Sequence, residues 1–84
     1  MREKILIRLE VPAIQEEYEM LVPVGLRCGD LIRLMTEAVI ELSGGRYVSS
    51  GCELLCAKRQ EYLIDSDAVL ADYGVGNGDH LVLT

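Results

Sequence analysis

Val69-Leu70-Ala71-Asp72-Tyr73-Gly74-Val75-Gly76-Asn77-Gly78-Asp79-His80-Leu81-Val82-Leu83-Thr84 is a turn that feeds an alternating strand. Asn, Gly and Asp in succession are what a tight turn before a strand requires. The strand expected over Asp79–Thr84 places Leu81 and Leu83 on one face and His80, Val82 and Thr84 on the other. A glycine-rich run that cradles a phosphate follows a strand and opens a helix. This one opens a strand, so its glycines serve turn geometry. Asp65, Asp67 and Asp72 are spaced for turns and capping, and lack the dense ligand series of a calcium loop. Tyr73 is expected to pack under the loop and bond to backbone, because a buried phenol needs a partner.

Working outward, Lys4-Ile5-Leu6-Ile7-Arg8-Leu9-Glu10 is a β-branched strand pattern with Ile5, Ile7 and Leu9 on one side. Pro12, which has no N–H to donate, ends it. Beyond the connection Pro12-Ala13-Ile14-Gln15, Glu17–Val22 forms a second strand with Glu17 and Glu19 toward water and Tyr18, Met20 and Val22 inward. Asp30, or Cys28-Gly29-Asp30 together, opens a helix, with Asp30 at its N-cap or in its first turn. The helix runs to about Ser43, where Gly44-Gly45 stops it. At 100° per residue, Leu31, Leu34, Met35, Ala38, Val39 and Leu42 gather into one stripe. Ile40 falls on the polar side and Ile32 at the stripe's edge. Glu53–Lys58 is a third strand, and Tyr62-Leu63-Ile64 a short fourth. The expected core is Ile5, Ile7, Met20, Val22, Leu31, Met35, Leu54, Leu70, Val75, Leu81 and Leu83. The fold class is α+β: a mixed sheet of four to five strands with one main helix packed across it. Residues 1–84 form a single domain of a size that buries one modest core.

The formal charge of −6 disfavours nucleic acid, which selects a basic stripe. Half of the residues are apolar, which argues against disorder. Cys28, Cys52 and Cys56 form an odd set and no signal peptide is expected, so small buried or half-buried thiols are expected rather than a disulfide framework. Three scattered thiols and His80 make a poor zinc set. No cofactor or metal is expected, and no apolar run approaches the ~20 residues that span a bilayer. The expected location is cytoplasmic.

The order of elements resembles ubiquitin and the β-grasp. The local match is densest at the end, where Leu70-Ala71-Asp72-Tyr73-Gly74-Val75 precedes His80-Leu81-Val82-Leu83 at ubiquitin's spacing. The run Leu70–Leu81, with Val22-Pro23 ahead of Leu31-Ile32, is similar to the bacterial YukD/EsaB group, small ubiquitin-like proteins of type VII (ESX) secretion systems. That resemblance implies a non-catalytic adaptor or regulatory protein, an accessory component of such a system. It also implies a protein partner, such as a membrane or ATPase component. Ubiquitin and the sulfur carriers of the same fold react through a Gly-Gly tail after the last strand. Here Thr84 is the last residue, so the expectation is the fold without that chemistry and no enzyme activity. Two alternatives stay open: a stand-alone β-grasp interaction domain of another pathway, and a sulfur-carrier-like protein cut before its Gly-Gly.

The face of the sheet away from the helix is the expected binding surface. The resemblance to the β-grasp implies that Leu6, Leu55, Val82 and Thr84 lie together there, with Arg8 and Lys58 on the rim. Apolar residues on that face contribute nothing to the core, and a partner or a second copy of the chain would cover them.

Overall fold

The structure, a computed structural model, describes residues 3–84. The chain opens with a hairpin of strands β1 (Lys4–Val11) and β2 (Glu16–Pro23), joined through a 3-10 turn at Pro12–Ile14. Helix α1 spans Cys28–Leu42, and strands β3 (Leu55–Ala57), β4 (Tyr62–Leu63) and β5 (His80–Leu83) follow. A second 3-10 turn, Leu70–Tyr73, precedes β5. The five strands form one sheet in the order β2-β1-β5-β3-β4. β1 and β5 are parallel and central, and the other pairs are antiparallel. This is the mixed β-grasp sheet expected from the sequence.

Alternation on β1 decides which face is core. Ile5, Ile7, Leu9 and Val11 are buried, while Lys4, Leu6 and Arg8 are exposed. From β5 the buried pair is Leu81 and Leu83. α1 covers this face with Cys28, Leu31, Met35, Thr36 and Val39. Cys28-Gly29-Asp30 forms the first turn of α1, one of the two openings expected, and Asp30 there accepts a bond from Arg33 at 2.8 Å. At the other end, the Gly44 and Gly45 N–H groups donate to the Glu41 and Ile40 carbonyls and end the helix as expected.

The buried stripe of α1 lies to one side of the expected one. Leu34 is 51% exposed and Leu42 59%, while Ile32 and Ile40 pack against the core. The reason is the segment after the helix. Tyr47 is buried there, and its N–H donates to Ser43 Oγ at 3.0 Å. Thr36 and Ser43, also buried, direct their hydroxyls to the Ile32 and Ile40 carbonyls, which removes the cost of burying them. Met20 is half-buried rather than fully in the core.

One strand is out of phase with the expectation. Leu55, assigned above to the outer face, is buried and pairs with Leu83; Leu54, assigned to the core, is 49% exposed. Both phases of Leu54-Leu55-Cys56-Ala57 are apolar, so only pairing with β5 selects one.

The turn into β5 holds the central pairing. Gly78, at φ +84, adopts the left-handed conformation that glycine takes without strain. Its N–H donates to the Leu6 carbonyl at 2.8 Å, and the Leu6 N–H donates to Asn77 Oδ1 at 2.8 Å. Asp79 Oδ2 accepts the Gly76 N–H at 2.9 Å, and the same carboxylate accepts two bonds from Arg59 at 2.9 Å. Tyr73 receives the Asp65 N–H at 3.0 Å, the backbone bond expected of it. Asp65 and Asp72 accept the Asp67 and Val69 N–H groups, as turn and capping residues do.

Two predictions follow from this packing and this turn. Leu81 is fully buried, so Leu81→Ala should cost ~2–5 kcal/mol, read as a lower urea midpoint; an unchanged midpoint would remove it from the core. The Arg59 bonds hold the Asp79 carboxyl well below its ordinary value of 3.8, against burial, with help from Gly76 and Gln60. A lowered folded-state value means that this stabilisation is complete above 3.8 and is lost as the pH falls further through the folded value. Asp79→Asn should therefore be less stable than the parent at pH 7, with the gap closing in acid below 3.8. A gap independent of pH in urea titrations would contradict that assignment.

Candidate protein-interaction surface

The outer face is built by the residues that alternate with the core. Leu6 pairs with Leu21 across the hairpin. The next row along β1 is Glu19, Arg8 and His80, and the Lys58 N–H donates to the His80 carbonyl at 3.0 Å. The row after that runs Glu17, Glu10, Val82, Cys56 and Leu63 across the whole sheet. Beyond it, Leu54 and Thr84 exchange backbone bonds of 2.8 and 2.9 Å.

The register splits the expected patch in two. Four residues of strand separate Leu6 from the row of Val82, about 13 Å at the rise of a strand. Leu6, 42% exposed, instead neighbours Leu21, 64% exposed, at the end where β1 begins. At the other end Val82 and Cys56 are half-buried, while Leu54 and Leu63 are exposed at 49% and 57%. Thr84 is exposed beside them. Of the sequence-derived site residues, Val82 and Thr84 thus share this second patch, Leu6 lies apart, and buried Leu55 has no place on the face. Leu54 takes the position expected of Leu55. Leu63, Cys56 and Leu21 were not anticipated, because only strand pairing reveals their company.

Arg8 and Lys58 do not form a free basic rim. They lie within a polar band between the two patches. Arg8 Nε is 3.7 Å from Glu17, and Lys58 Nζ is 3.2 Å from Glu10. His80 Nε2 lies 3.3 Å from Glu10 and 4.0 Å from Glu17. Side chains this exposed gain little energy from pairing. Their effect is to divide the face by polarity. Glu10, Glu17 and His80 each place a ligand-type atom within 4.8 Å of the others, but Lys58 and Arg8 already supply the positive charge at those carboxylates.

The perturbed titrating groups hold loops in place. Burial pushes the Cys28 thiol up to about 11, with Asp72 and Asp65 adding to the effect, so it stays protonated at neutral pH. Cys56 is half-buried as expected, whereas Cys52 is exposed. Burial, then a 2.8 Å bond to Glu53, pushes Tyr47 up to about 12. Burial acts to raise the Glu53 carboxyl, but bonds from Ser49, Tyr47 and the Ser50 N–H outweigh it and leave it lowered. Glu53 thereby ties the segment after α1 to the start of β3. No helix among the described residues is long and apolar enough to cross a membrane.

No protein-family model and no curated protein matches this sequence. Solved structures do match. The ubiquitin-like domain of EccD5 from Mycobacterium xenopi superimposes with a TM-score of 0.80 at 12% identity, covering 98% of this chain and 93% of that one. The ubiquitin-like domain of the type VII secretion system protein EccD1 from Mycobacterium tuberculosis gives 0.77 at 14%, covering 98% of each chain. The ubiquitin-like domain of Plasmodium falciparum Dsk2 gives 0.70 at 19%, covering 98% of this chain and 100% of that one. At such identities the likeness is one of fold, and the chain has the ubiquitin-like β-grasp fold.

Proposed function

We propose that this chain is a non-catalytic ubiquitin-like adaptor of a type VII secretion system, acting in the cytoplasm. It docks a protein partner on the outer face of its sheet at Leu54, Leu63, Val82, Cys56 and Thr84. The observation that carries the proposal is this apolar patch. Leu54 and Leu63 turn away from the core, so their burial contributes nothing to folding of the isolated chain. Apolar anchors bordered by charge are the composition of a contact site. The ion pair of Lys58 with Glu10, 3.2 Å apart, forms that polar border. The fold shared with ubiquitin-like domains of EccD proteins supports the choice of pathway, as does the Leu70–Leu81 run. The partner this implies is a membrane or ATPase component of the secretion machinery.

The test is crosslinking and affinity purification of the N-terminally tagged chain from its native cells, read by mass spectrometry. A secretion-system membrane or ATPase component should be recovered. Leu54→Asp with Leu63→Asp should lower that recovery about tenfold, the effect of losing contact anchors, with the melting temperature unchanged. Recovery of components of another pathway alone would overturn the secretion assignment. Undiminished recovery with the double variant would overturn the docking face.

A further inference from the structure

β2 is the terminal strand of the sheet, and among the described residues no strand pairs with its outer edge. In an antiparallel ladder, residues that exchange bonds with the partner strand alternate with residues whose N–H and C=O turn away. The Val24 N–H donates to the Glu3 carbonyl at 3.2 Å, and the register continues as Val22 with Ile5 and Met20 with Ile7. Stepping back by twos, Val22, Met20, Tyr18 and Glu16 bond to β1. Glu17, Glu19 and Leu21 therefore present their backbone groups to the open edge. Pro23 has no N–H and closes that end of the ladder.

A groove of about 250 Å³ runs beside this edge, between β2 and α1. Met20 and Val22 line one side; Leu31, Leu34, Ala38 and Leu42 line the other. Leu34, Ala38 and Leu42 stand four residues apart along one row of the helix. Leu34 and Leu42 are more than half exposed, displaced from the core by the shift of the buried stripe toward Ile32 and Ile40.

We propose that this edge and groove bind an extended segment of a partner protein, which adds to the sheet beside β2. The segment alternates apolar residues with Lys or Arg. Charge and alternation define it. The side chains of Glu17 and Glu19 point to the outer face, so residues of an added strand beside them lie on that same face. Arg8 lies 3.7 Å from Glu17, while Glu19 has no ion-pair partner among the described residues, so opposite charge is favourable there. The intervening residues lie beside Tyr18 and Met20 and enter the groove, where apolar side chains fit. A second copy of this chain is a poor occupant. Pairing β2 with β2 brings Glu17 and Glu19 of both copies to one seam, with Arg8 of each copy beside them, 3.7 Å from Glu17, between chains that each carry −6. Main-chain bonds with alternate side chains in a groove are the general mode of strand addition.

The probe is an acetylated, amidated peptide of alternating Lys and Val, with an alternating Glu and Val peptide as control, titrated into the isotope-labelled chain. The Lys peptide should bind saturably and slow amide exchange at Glu17, Glu19 and Leu21, whereas the Glu peptide should not. Leu34→Asp should weaken binding about tenfold, as should Glu17→Lys with Glu19→Lys; Leu54→Asp should leave it unchanged. Leu34→Ala serves the same comparison if the aspartate unsettles the helix. The proposal is overturned by an absence of binding, or by affinity insensitive to both Leu34 variants, which would mean charge attraction alone. It is also overturned by perturbations that collect at Leu54 and Leu63. Protection at the three amides that rises with protein concentration without peptide would make a second copy the occupant, and would overturn it equally.

Discussion

The parallel pairing of β1 with β5 is the constraint on which the rest depends. It joins segments from opposite ends of the described chain, with Arg8 opposite His80 and Glu10 opposite Val82. Such distant contacts carry a loop-closure cost before they return any burial. Local bonds to the turn offset it. Asn77 and Gly78 grip the two backbone groups of Leu6, and the Arg8 N–H reaches the Asp79 carbonyl at 2.9 Å. Asp79, held by Arg59, Gln60 and the Gly76 N–H, keeps the turn in the shape that makes this grip. Once the register is set, Ile5, Ile7, Leu9, Leu81 and Leu83 must share the face under α1. A slip of one residue would turn the inward residues of one of the two strands to water.

The same register organises the surface. It places Arg8, His80, Lys58, Glu10 and Glu17 side by side, so the charged residues neutralise one another in a band across the outer face. What remains at either end is apolar: Leu6 with Leu21, and Val82 with Cys56, Leu54 and Leu63. The helix contributes a separate exposed row. Because Tyr47 and the segment around it cover one flank of α1, the opposite flank with Leu34 and Leu42 stays open above β2. Two surfaces of different character result: one across the sheet, and one along its edge.

Where charge marks the alternation, the sequence discloses the face. Lys4, Arg8 and Glu10 leave one choice for β1, and Glu17 and Glu19 do the same for β2. Leu54-Leu55-Cys56-Ala57 carries no such mark, and its phase comes from Leu83, far along the chain. The helix is a similar case. Its apolar residues occupy more than half of the circumference, so periodicity identifies a helix without deciding which edge of the stripe is covered. That decision belongs to Tyr47, Ser43 and Glu53, whose bonds form only after the segment beyond the helix has folded back. The candidate patch was legible to the same degree. Val82 and Thr84 follow from β5 alone, whereas Leu63 and Cys56 join them only through pairing across three strands.

The most direct test of this account is the register itself, read from scalar couplings across hydrogen bonds in a long-range HNCO experiment. Couplings are predicted from the Arg8 amide nitrogen to the Asp79 carbonyl carbon, and from the Gly78 amide nitrogen to the Leu6 carbonyl carbon. Both report the parallel pairing without reference to side chains. Couplings from these amides to carbonyls one residue away would move Val82 off the outer face. That result would contradict the account at its centre, since both the buried face and the candidate patch derive from this pairing.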